Sequence, residues 1–426
     1  MTQTGRPLLK LTSALSNRYA LVEGASKLRL LVETSVDGEG GGSALPLNLT
    51  LVLDRSTSMM GAALDSVKAA ASHLVDQLTD QDCVSIVGFS DTVQVLQPSQ
   101  PVRDKSAVKR AVDQLRAAGA TNVHEAITVG HREALRNFSA DRVNRILFLS
   151  DGEATAGVLE DDRILALADA ARHDGVAIST LGVGEEYDEV LLGGLARRSG
   201  GNHYFIPDAE AIPKLFDEEM AKIKAVVAKN VRIRVKPADD TQVRMLNQRY
   251  RCETVDGEFV VYLDEMERGR PQATILEMEV SARPQGEYKP AFITLKYDDM
   301  LSHRRDETVE SELLLTYVGD GSRIREGINR DVLRRWEELS AMHELRDIIE
   351  QVKDLKVDAK TAVLELDKRT QALVKKKAID AARAFAVVSK TIMEEGGVST
   401  NLSKRTVVAC EEAEKGAVPG RTLLED

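Results

Sequence analysis

Between residues 45 and 225, short apolar runs alternate with stretches whose apolar residues recur every three or four positions. Runs such as 46–54 (PLNLTLVLD), 83–90 (CVSIVGFS) and 145–150 (RILFLS) are almost continuously apolar, which is typical of strands buried on both faces. The stretches between them have the period of amphipathic helices. The alternation predicts a doubly wound, mostly parallel α/β domain over residues 45–225, with a Rossmann-like arrangement of helices on both faces of the sheet.

The segments on either side of this domain have strand patterns instead. Residues 1–44 contain two extended runs, and residues 226–320 contain strand-like runs joined by turn signals such as Asp256-Gly257. Because both ends of the α/β domain are expected on the same side of its sheet, the two flanking segments should meet there. We therefore predict one antiparallel β-sandwich built from both segments, with the α/β domain inserted in it. The glycine-rich run 37–43 predicts a linker or turn.

The C-terminal part of the chain returns to a helical period. Apolar residues recur every three or four positions from Ile328 to Val352, and a second helical pattern covers residues 358–395. We predict an α-helical hairpin over residues 321–397, ended by glycines, and a polar tail over residues 398–426.

Composition excludes several classes of protein. The 426 residues carry a formal net charge of −11, which argues against a nucleic-acid partner. Three widely spaced cysteines do not form a disulfide framework, and this fits a reducing compartment. No apolar run reaches the roughly 18 residues of a membrane span, and the first residues lack the apolar core of a secretory signal. We expect a cytoplasmic protein with no membrane partner.

Oxygen-bearing side chains occur where the predicted strands end. Asp54 closes a buried strand and is followed by Ser56 and Ser58, while Asp151 follows a second strand. Thr121 lies on a loop just before a helix. In a doubly wound sheet, ligands bind outside the carboxyl ends of the strands, where the strand order reverses. The five side chains are therefore expected to converge at one edge of the sheet.

Carboxylates and hydroxyls, without histidine or cysteine, are hard ligands. They suit Mg²⁺, with Mn²⁺ or Ca²⁺ as alternatives, rather than Zn²⁺. Taken alone, Asp54 and the two serines also fit a helix N-cap with a turn, and Thr121 and Asp151 make the metal site the better interpretation.

At these residues the sequence resembles the von Willebrand factor A (VWA) family. Asp54-x-Ser56-x-Ser58, then Thr121, then Asp151-Gly152 look like a complete metal-ion-dependent adhesion site. The resemblance implies that the serines and the threonine ligate the ion, and that the aspartates bind it directly or through water. Thr57 stands where the family often has glycine, and Ser150 where threonine is common, but neither change removes a ligand.

The resemblance also implies a function. We expect an intracellular, bacterial-type multidomain VWA protein that is not an enzyme and has no catalytic residues. It would act as an adaptor that binds an acidic residue of a partner protein through the cation. Intracellular members of the family often work with AAA+ ATPases, so an ATPase-linked assembly is one expected setting.

Three other interpretations remain open. An extracellular adhesion or matrix-binding protein would need an export route. A Mg²⁺-dependent phosphohydrolase with an aspartyl nucleophile usually has a second carboxylate two residues later, where this chain has Ser56. In a purely structural role, the metal would affect only stability. Of Met59 and Met60 beside the site, we expect one to pack beneath the first helix, and an exposed one would be available to a partner.

Overall fold

The computed structural model describes residues 7–37, 44–184, 186–245, 250–353, 356–414 and 423. The chain divides into two compact units. We call Ser43–Val226 the α/β unit, and Met1–Gly42 together with Val227–Asp426 the flanking unit. The predicted linker at 37–43 lies outside the described residues, apart from Asp37.

The flanking unit begins with three strands. They are β1 (Leu9–Leu15), β2 (Tyr19–Leu21) and β3 (Ser26–Val36).

The α/β unit contains six strands and six helices within its described residues. The strands are β4 (Leu47–Asp54), β5 (Cys83–Phe89), β6 (Val93–Pro101), β7 (Val143–Ser150), β8 (Ala177–Val183) and β9 (His203–Ile206). The helices are α1 (Ala62–Asp76), α2 (Lys105–Asp113), α3 (Val123–Arg136), α4 (Asp161–His173), α5 (Glu189–Ser199) and α6 (Ile212–Ala225).

These strands form one sheet in the order β6-β5-β4-β7-β8-β9. Only the edge strand β6 is antiparallel to its neighbour. Every residue of β4, β5, β7 and β8 is buried, because helices cover both faces of the sheet. The predicted doubly wound, mostly parallel fold is confirmed.

The flanking unit continues after the α/β unit with nine strands and then helices. The strands are β10 (Val226–Pro237), β11 (Thr241–Met245), β12 (Cys252–Val255), β13 (Glu258–Glu267), β14 (Gln272–Val280), β15 (Gly286–Tyr288), β16 (Ala291–Asp299), β17 (Arg304–Glu312) and β18 (Leu315–Val318). The helices are α7 (Ser322–Glu326), α8 (Arg330–Lys353), α9 (Ala359–Lys375), α10 (Ile379–Glu395) and α11 (Thr400–Glu414).

Strands from both ends of the chain build the sandwich. One sheet has the order β1-β3-β14-β11, and the other has the order β12-β13-β10-β16-β17. Apolar residues of both sheets share one buried core, and the Leu9 amide of β1 donates to the Tyr297 hydroxyl of β16 at 3.3 Å. Since β3 pairs with β14, the segments before and after the α/β unit form a single sheet, as the insertion predicts. A third sheet, β15-β18-β2, was not predicted.

The helical region differs from the predicted hairpin. Residues 358–395, predicted as one helix, form α9 and α10, which are separated at Lys377. Lys377 has φ 63°, a left-handed conformation that cannot continue a right-handed helix. The prediction of a polar tail from residue 398 was also wrong, because α11 covers Thr400–Glu414 and buries small residues such as Ala409 and Cys410. The Cys410 thiol donates to the Met342 carbonyl of α8 at 3.0 Å.

The structure places α8, the longest helix of this region, against the sandwich. Val332 and Leu339 of α8 pack on Leu31 and Ile275, on the outer face of β3 and β14. The guanidinium of Arg29 lies 4.9 Å from the ring centroid of Trp336. The second half of α8 packs with α9, α10 and α11 in a separate apolar cluster. No helix of the described residues is long and apolar enough to cross a bilayer.

Leu339→Ala should weaken the attachment of α8 to the sheet by about 2–4 kcal/mol, because a buried leucine leaves a cavity there. Leu339 is 3% exposed. The chain has one tryptophan, Trp336, so its fluorescence reports urea unfolding around this contact. Leu333→Ala, on the same helix at 37% exposure, is the matched control and should cost less than about 1 kcal/mol. Equal losses for the two variants would contradict this packing.

Candidate metal centre

The candidate site lies at the carboxyl ends of β4 and β7. The chain leaves β4 toward β5 on one side, and β7 pairs with the other side of β4, so the strand order reverses there. The parallel register that pairs Leu53 with Leu149 sets Ser150 beside Asp54. The loops that follow β4 and β7 therefore leave the sheet next to each other.

Asp54 lies at the bottom of this site and has no exposed surface. Its Oδ1 accepts a hydrogen bond from the Ser56 amide at 2.7 Å, an Asx-type turn that fixes the start of the loop. Its Oδ2 accepts one from the Ser150 hydroxyl at 2.6 Å. Burial raises the pKa of Asp54 to about 6, although the hydrogen bonds from Ser150 and Ser56 act in the opposite direction.

Ser56, Ser58 and Asp151 bring their oxygens together above Asp54. The two hydroxyls are 3.0 Å apart, and Asp151 Oδ1 accepts from Ser58 at 2.8 Å and from Ser56 at 3.5 Å. Ligand oxygens 2.0–2.1 Å from an octahedral Mg²⁺ stand about 2.9 Å from their neighbours. The Ser56–Ser58 and Ser58–Asp151 spacings therefore fit neighbouring positions in a Mg²⁺ coordination shell, while Ser56 and Asp151 stand farther apart.

Asp151 is more accessible than Asp54. Burial raises its pKa, the hydrogen bond from Ser58 lowers it, and the charge of Glu186 raises it. Glu186 belongs to the loop between β8 and α5, so that loop also faces the site. A divalent cation would offset the repulsion between these carboxylates.

Thr121 reaches the site from a third loop. Its hydroxyl lies 3.9 Å from the point where a Cβ on Gly152 would stand, so it faces the loop that carries Asp151. The Thr121 amide donates to Thr155 Oγ1 at 3.0 Å, and its carbonyl accepts from the Thr155 amide at 2.9 Å. The structure thus brings all five predicted residues to one edge of the sheet, with Thr121 held through Thr155.

Thr57 connects the loop of Ser56 and Ser58 to the loop that contains Gly119 and Thr121. Both its amide and its hydroxyl donate to the Gly119 carbonyl, at 3.1 and 3.0 Å. A glycine at position 57 would make only the first of these bonds. Gly119 itself has φ +79°, and a Cβ there would stand 1.9 Å from Asp91 Oδ1. The positive φ therefore favours glycine at this position, and an added Cβ would also push the exposed Asp91 side chain aside.

Gly119→Ala should lower the stability of the α/β unit by about 1–2 kcal/mol and weaken Mg²⁺ binding, because the strained backbone shifts the loop that carries Thr121. Gly257→Ala is the matched control, since Gly257, in the turn between β12 and β13, has φ +78° with nothing within 4 Å of an added Cβ. The free energy of unfolding of the control should fall only by the about 1–2 kcal/mol that a left-handed backbone costs, and its Mg²⁺ affinity should stay that of wild type. Thermal unfolding and calorimetric titration check both effects, and equal Mg²⁺ affinities of the two variants would contradict the role of Gly119.

Sequence reasoning missed three residues that build the site. Ser150 was noted only as a departure from the family pattern, yet its hydroxyl binds Asp54. Its position could have been found from the parallel register, because the last residues of paired strands lie side by side. Thr155 and Gly119 act through hydrogen bonds to or from the backbone of the loops, which the residue pattern does not reveal.

The donor set fits a hard divalent cation. The hydroxyls of Ser56, Ser58 and Thr121 would ligate the ion together with the carboxylate of Asp151. Asp54, buried beneath them, would bind the ion directly or through a water molecule. Because the hydroxyls are neutral, only the two aspartates offset the charge of the ion, and a coordination position not filled by the protein would be open to water or to a further carboxylate. Within the described part of the chain, no group of three or more His, Cys, Asp or Glu is placed to hold a metal ion.

Comparison with known proteins agrees with this architecture. A von Willebrand factor A type protein from Catenulispora acidiphila superposes with a TM-score of 0.72 at 13% identity, covering 98% of this chain and 99% of that one. The protein sll0103 of Synechocystis is 27% identical over 286 residues, 65% of this chain and 67% of the relative. YfbK of Escherichia coli is 29% identical over 208 residues, 48% of this chain and 36% of the relative. The chain thus spans little more than a third of the Escherichia coli protein.

The fold and the site define a doubly wound α/β domain with a rim of oxygen ligands, in a chain that also forms a β-sandwich. The sequence profile of the von Willebrand factor type A domain matches residues 48–218. The chain therefore contains a VWA domain over these residues. Domains of this kind generally mediate protein–protein interaction and typically bind a divalent metal.

Proposed function

We propose that this chain is a cytoplasmic, non-enzymatic adaptor that binds an acidic residue of a partner protein through Mg²⁺ held at the rim of the VWA domain. The observation that carries the proposal is the convergence of the Ser56, Ser58 and Asp151 oxygens above the buried Asp54. A cation in this setting would have few anionic ligands, so a partner's carboxylate would complete its shell.

The proposal of an AAA+ ATPase as the partner rests on the resemblance to intracellular family members. This resemblance makes an AAA+ ATPase the first class of partner to look for. The cytoplasmic location is supported by the free cysteines Cys83, Cys252 and Cys410, none of which forms a disulfide.

The proposal is tested by affinity capture from a lysate of the native host in four arms. These are the wild-type chain with Mg²⁺, the wild-type chain with EDTA, Asp54→Ala with Mg²⁺, and Asp65→Ala with Mg²⁺. Asp65 is an exposed residue in the first turn of α1, so its variant is the matched control. We expect a partner in the first and fourth arms only. The same proteins in all four arms would show that the metal rim is not the docking surface.

The alternative of a phosphohydrolase makes a different prediction. It requires Mg²⁺-dependent turnover of a phosphoester such as p-nitrophenyl phosphate, and loss of that turnover in Asp54→Ala. We expect no turnover above that of the variant, because the site has no carboxylate at position 56 to act beside Asp54. Turnover that disappears with Asp54 would replace the adaptor proposal with an enzyme.

A further inference from the structure

We propose that the flanking unit binds an extended, acidic segment of a partner protein as an added strand on the outer edge of β1. The segment would lie in a cavity of about 590 Å³, which we call the edge cleft. The end of β1, the junction of β17 with β18 and the junction of α7 with α8 line this cleft. This second docking surface uses no metal and is independent of the proposed function.

Alternate backbone groups of β1 point away from its sheet. β1 is an edge strand that pairs with β3 on one side only. Directly after β1, the Ser16 amide donates to the Arg29 carbonyl of β3 at 2.7 Å, and the alternation of an antiparallel pair makes the even-numbered residues of β1 face β3 as well. The odd-numbered residues therefore face outward, and the Leu9 amide accordingly donates to the Tyr297 hydroxyl outside this sheet.

Ser13 and Leu15, two odd-numbered residues, line the edge cleft. Within the described part of the chain, no group hydrogen-bonds to the backbone amide or carbonyl of either residue. Farther along, the chain covers its own edge, since the Arg18 amide donates to the Gly327 carbonyl at 3.1 Å. The backbone donors and acceptors of Ser13 and Leu15 thus remain available to an added strand, the arrangement that β-augmentation requires.

The cleft is large enough for a peptide and presents apolar side chains to it. The edges of the two sheets approach where the hydroxyls of Ser13 on β1 and Ser311 on β17 lie 2.7 Å apart, and the cavity opens beside this contact. Its volume falls within the range of binding pockets, roughly 300–1,000 Å³. Leu314 and Ile328 line it and are 46% and 43% exposed. Burying them against apolar residues of a bound segment would be favourable.

The charges of the cleft favour an acidic segment. Arg18 and Arg330 line it, and neither forms an ion pair with a described residue. Of the two glutamates in the lining, Glu312 is already paired with Lys289 at 2.8 Å, which leaves Glu326 against two arginines. The cleft is therefore locally positive on a chain whose net charge is −11. A carboxylate on the bound segment would complement this charge.

The test selects ligands for the intact chain from a phage-displayed dodecapeptide library in EDTA, after depletion on Ser13→Pro. Proline removes the outward amide of residue 13 and no hydrogen bond to β3, so the variant should fold, which its thermal unfolding checks. We expect acidic peptides with apolar residues at alternate positions. Their dissociation constants should rise about tenfold or more in Ser13→Pro. Ser13→Ala, the matched control that keeps the amide, should bind them as wild type does.

Methylation of the peptide backbone tests the added strand on the wild-type chain alone. In an added strand, alternate amides donate to β1 and those between them face away. N-Methylation should therefore weaken binding about tenfold or more at every second residue, and little at the residues between. A loss that does not alternate would overturn the added strand.

Arginine variants test the charge of the cleft. Arg330→Ala should weaken binding about threefold or more at low salt, because it removes a cation that faces the peptide. Arg325→Ala is the matched control, since Arg325 is exposed on α7 and does not line the cleft. Equal losses for the two variants would contradict the acidic class of ligand.

Two further outcomes would overturn the inference. One is a selection that yields no peptide bound more tightly by wild type than by Ser13→Pro. The other is dimerisation of the intact chain that Ser13→Pro abolishes, since a second copy would then occupy the edge. All binding is measured in EDTA, and Asp54→Ala should bind the peptides as wild type does. The proposed function and this docking surface therefore fail separately.

Discussion

Asp54→Ala should bind Mg²⁺ on the order of 100-fold more weakly than the wild-type chain. Asp54 is one of the two aspartates in the predicted ligand set, and it also holds the Ser56 amide and the Ser150 hydroxyl in place. Its removal therefore takes away a negative charge and the support of a serine ligand together. Isothermal titration with MgCl₂ measures the affinity of each variant.

Asp54→Ala should also remove most of the stabilisation that the bound ion gives the folded state. At a Mg²⁺ concentration about 100 times the dissociation constant, binding to the native state adds about 2.7 kcal/mol. Thermal unfolding of the wild-type chain should therefore shift upward with Mg²⁺, while Asp54→Ala, for which this concentration only equals the weakened dissociation constant, should gain no more than about 0.4 kcal/mol. Asp65→Ala, exposed on α1, should respond as wild type does. A Mg²⁺ response in Asp54→Ala equal to that of wild type would mean that the ion binds elsewhere.

Glu219→Gln should destabilise the α/β unit by about 3–5 kcal/mol, because it leaves a buried arginine without its counter-charge. Glu219 of α6 is fully buried, and it accepts hydrogen bonds from Ser179, Tyr204 and Asn202. Arg145, 3% exposed, contributes the main favourable charge. Hydrogen exchange of β7 and β8 measures the loss within this unit. Glu218→Gln, one residue earlier and exposed, is the control and should cost less than about 0.5 kcal/mol.

The effect of Glu219 should also depend on pH. Burial alone would raise its pKa, but Arg145, Lys222 and the hydrogen bonds outweigh burial, so its pKa lies below the ordinary 4.5. The stabilisation by the ionised group is therefore complete above pH 4.5 and is lost as the pH falls through the folded-state pKa. The difference in stability between wild type and Glu219→Gln should shrink as the pH is lowered below 4.5. A constant difference from pH 7 to pH 3 would contradict an ionised Glu219.

Much of the fold was predictable because the strands of the α/β unit are buried on both faces. The apolar runs 51–53 of β4 and 146–149 of β7 predict strands buried on both faces, and Asp54 and Asp151 stand at the ends of these runs. Side chains at the ends of neighbouring parallel strands must lie close together. The grouping of the candidate ligands follows from this geometry, whereas the supporting contacts of Thr57 and Gly119 depend on loop conformations that no periodic pattern specifies.

The wrong predictions have physical causes as well. Lysine favours helices, so the break at Lys377 gives no signal in the sequence, and the structure shows it only as a left-handed residue. Helix α11 buries Leu402 and Val408 but also Ser403, Lys404 and Thr406, and these polar residues interrupt the apolar pattern that would predict a packed helix. Arg145 and Glu219 look like surface residues by their charge, and only the folded structure reveals that they are buried together.

The central claim is that a divalent cation binds at the rim of the VWA domain with a position left for a partner. A crystal grown with Mn²⁺ and measured at the manganese absorption edge tests it most directly, because the anomalous signal locates the ion. We predict one peak in contact with the hydroxyls of Ser56 and Ser58, between Asp151 and Thr121, with at least one coordination position held by water or by a carboxylate of another molecule. An anomalous peak elsewhere on the chain, or none at these residues, would contradict the account.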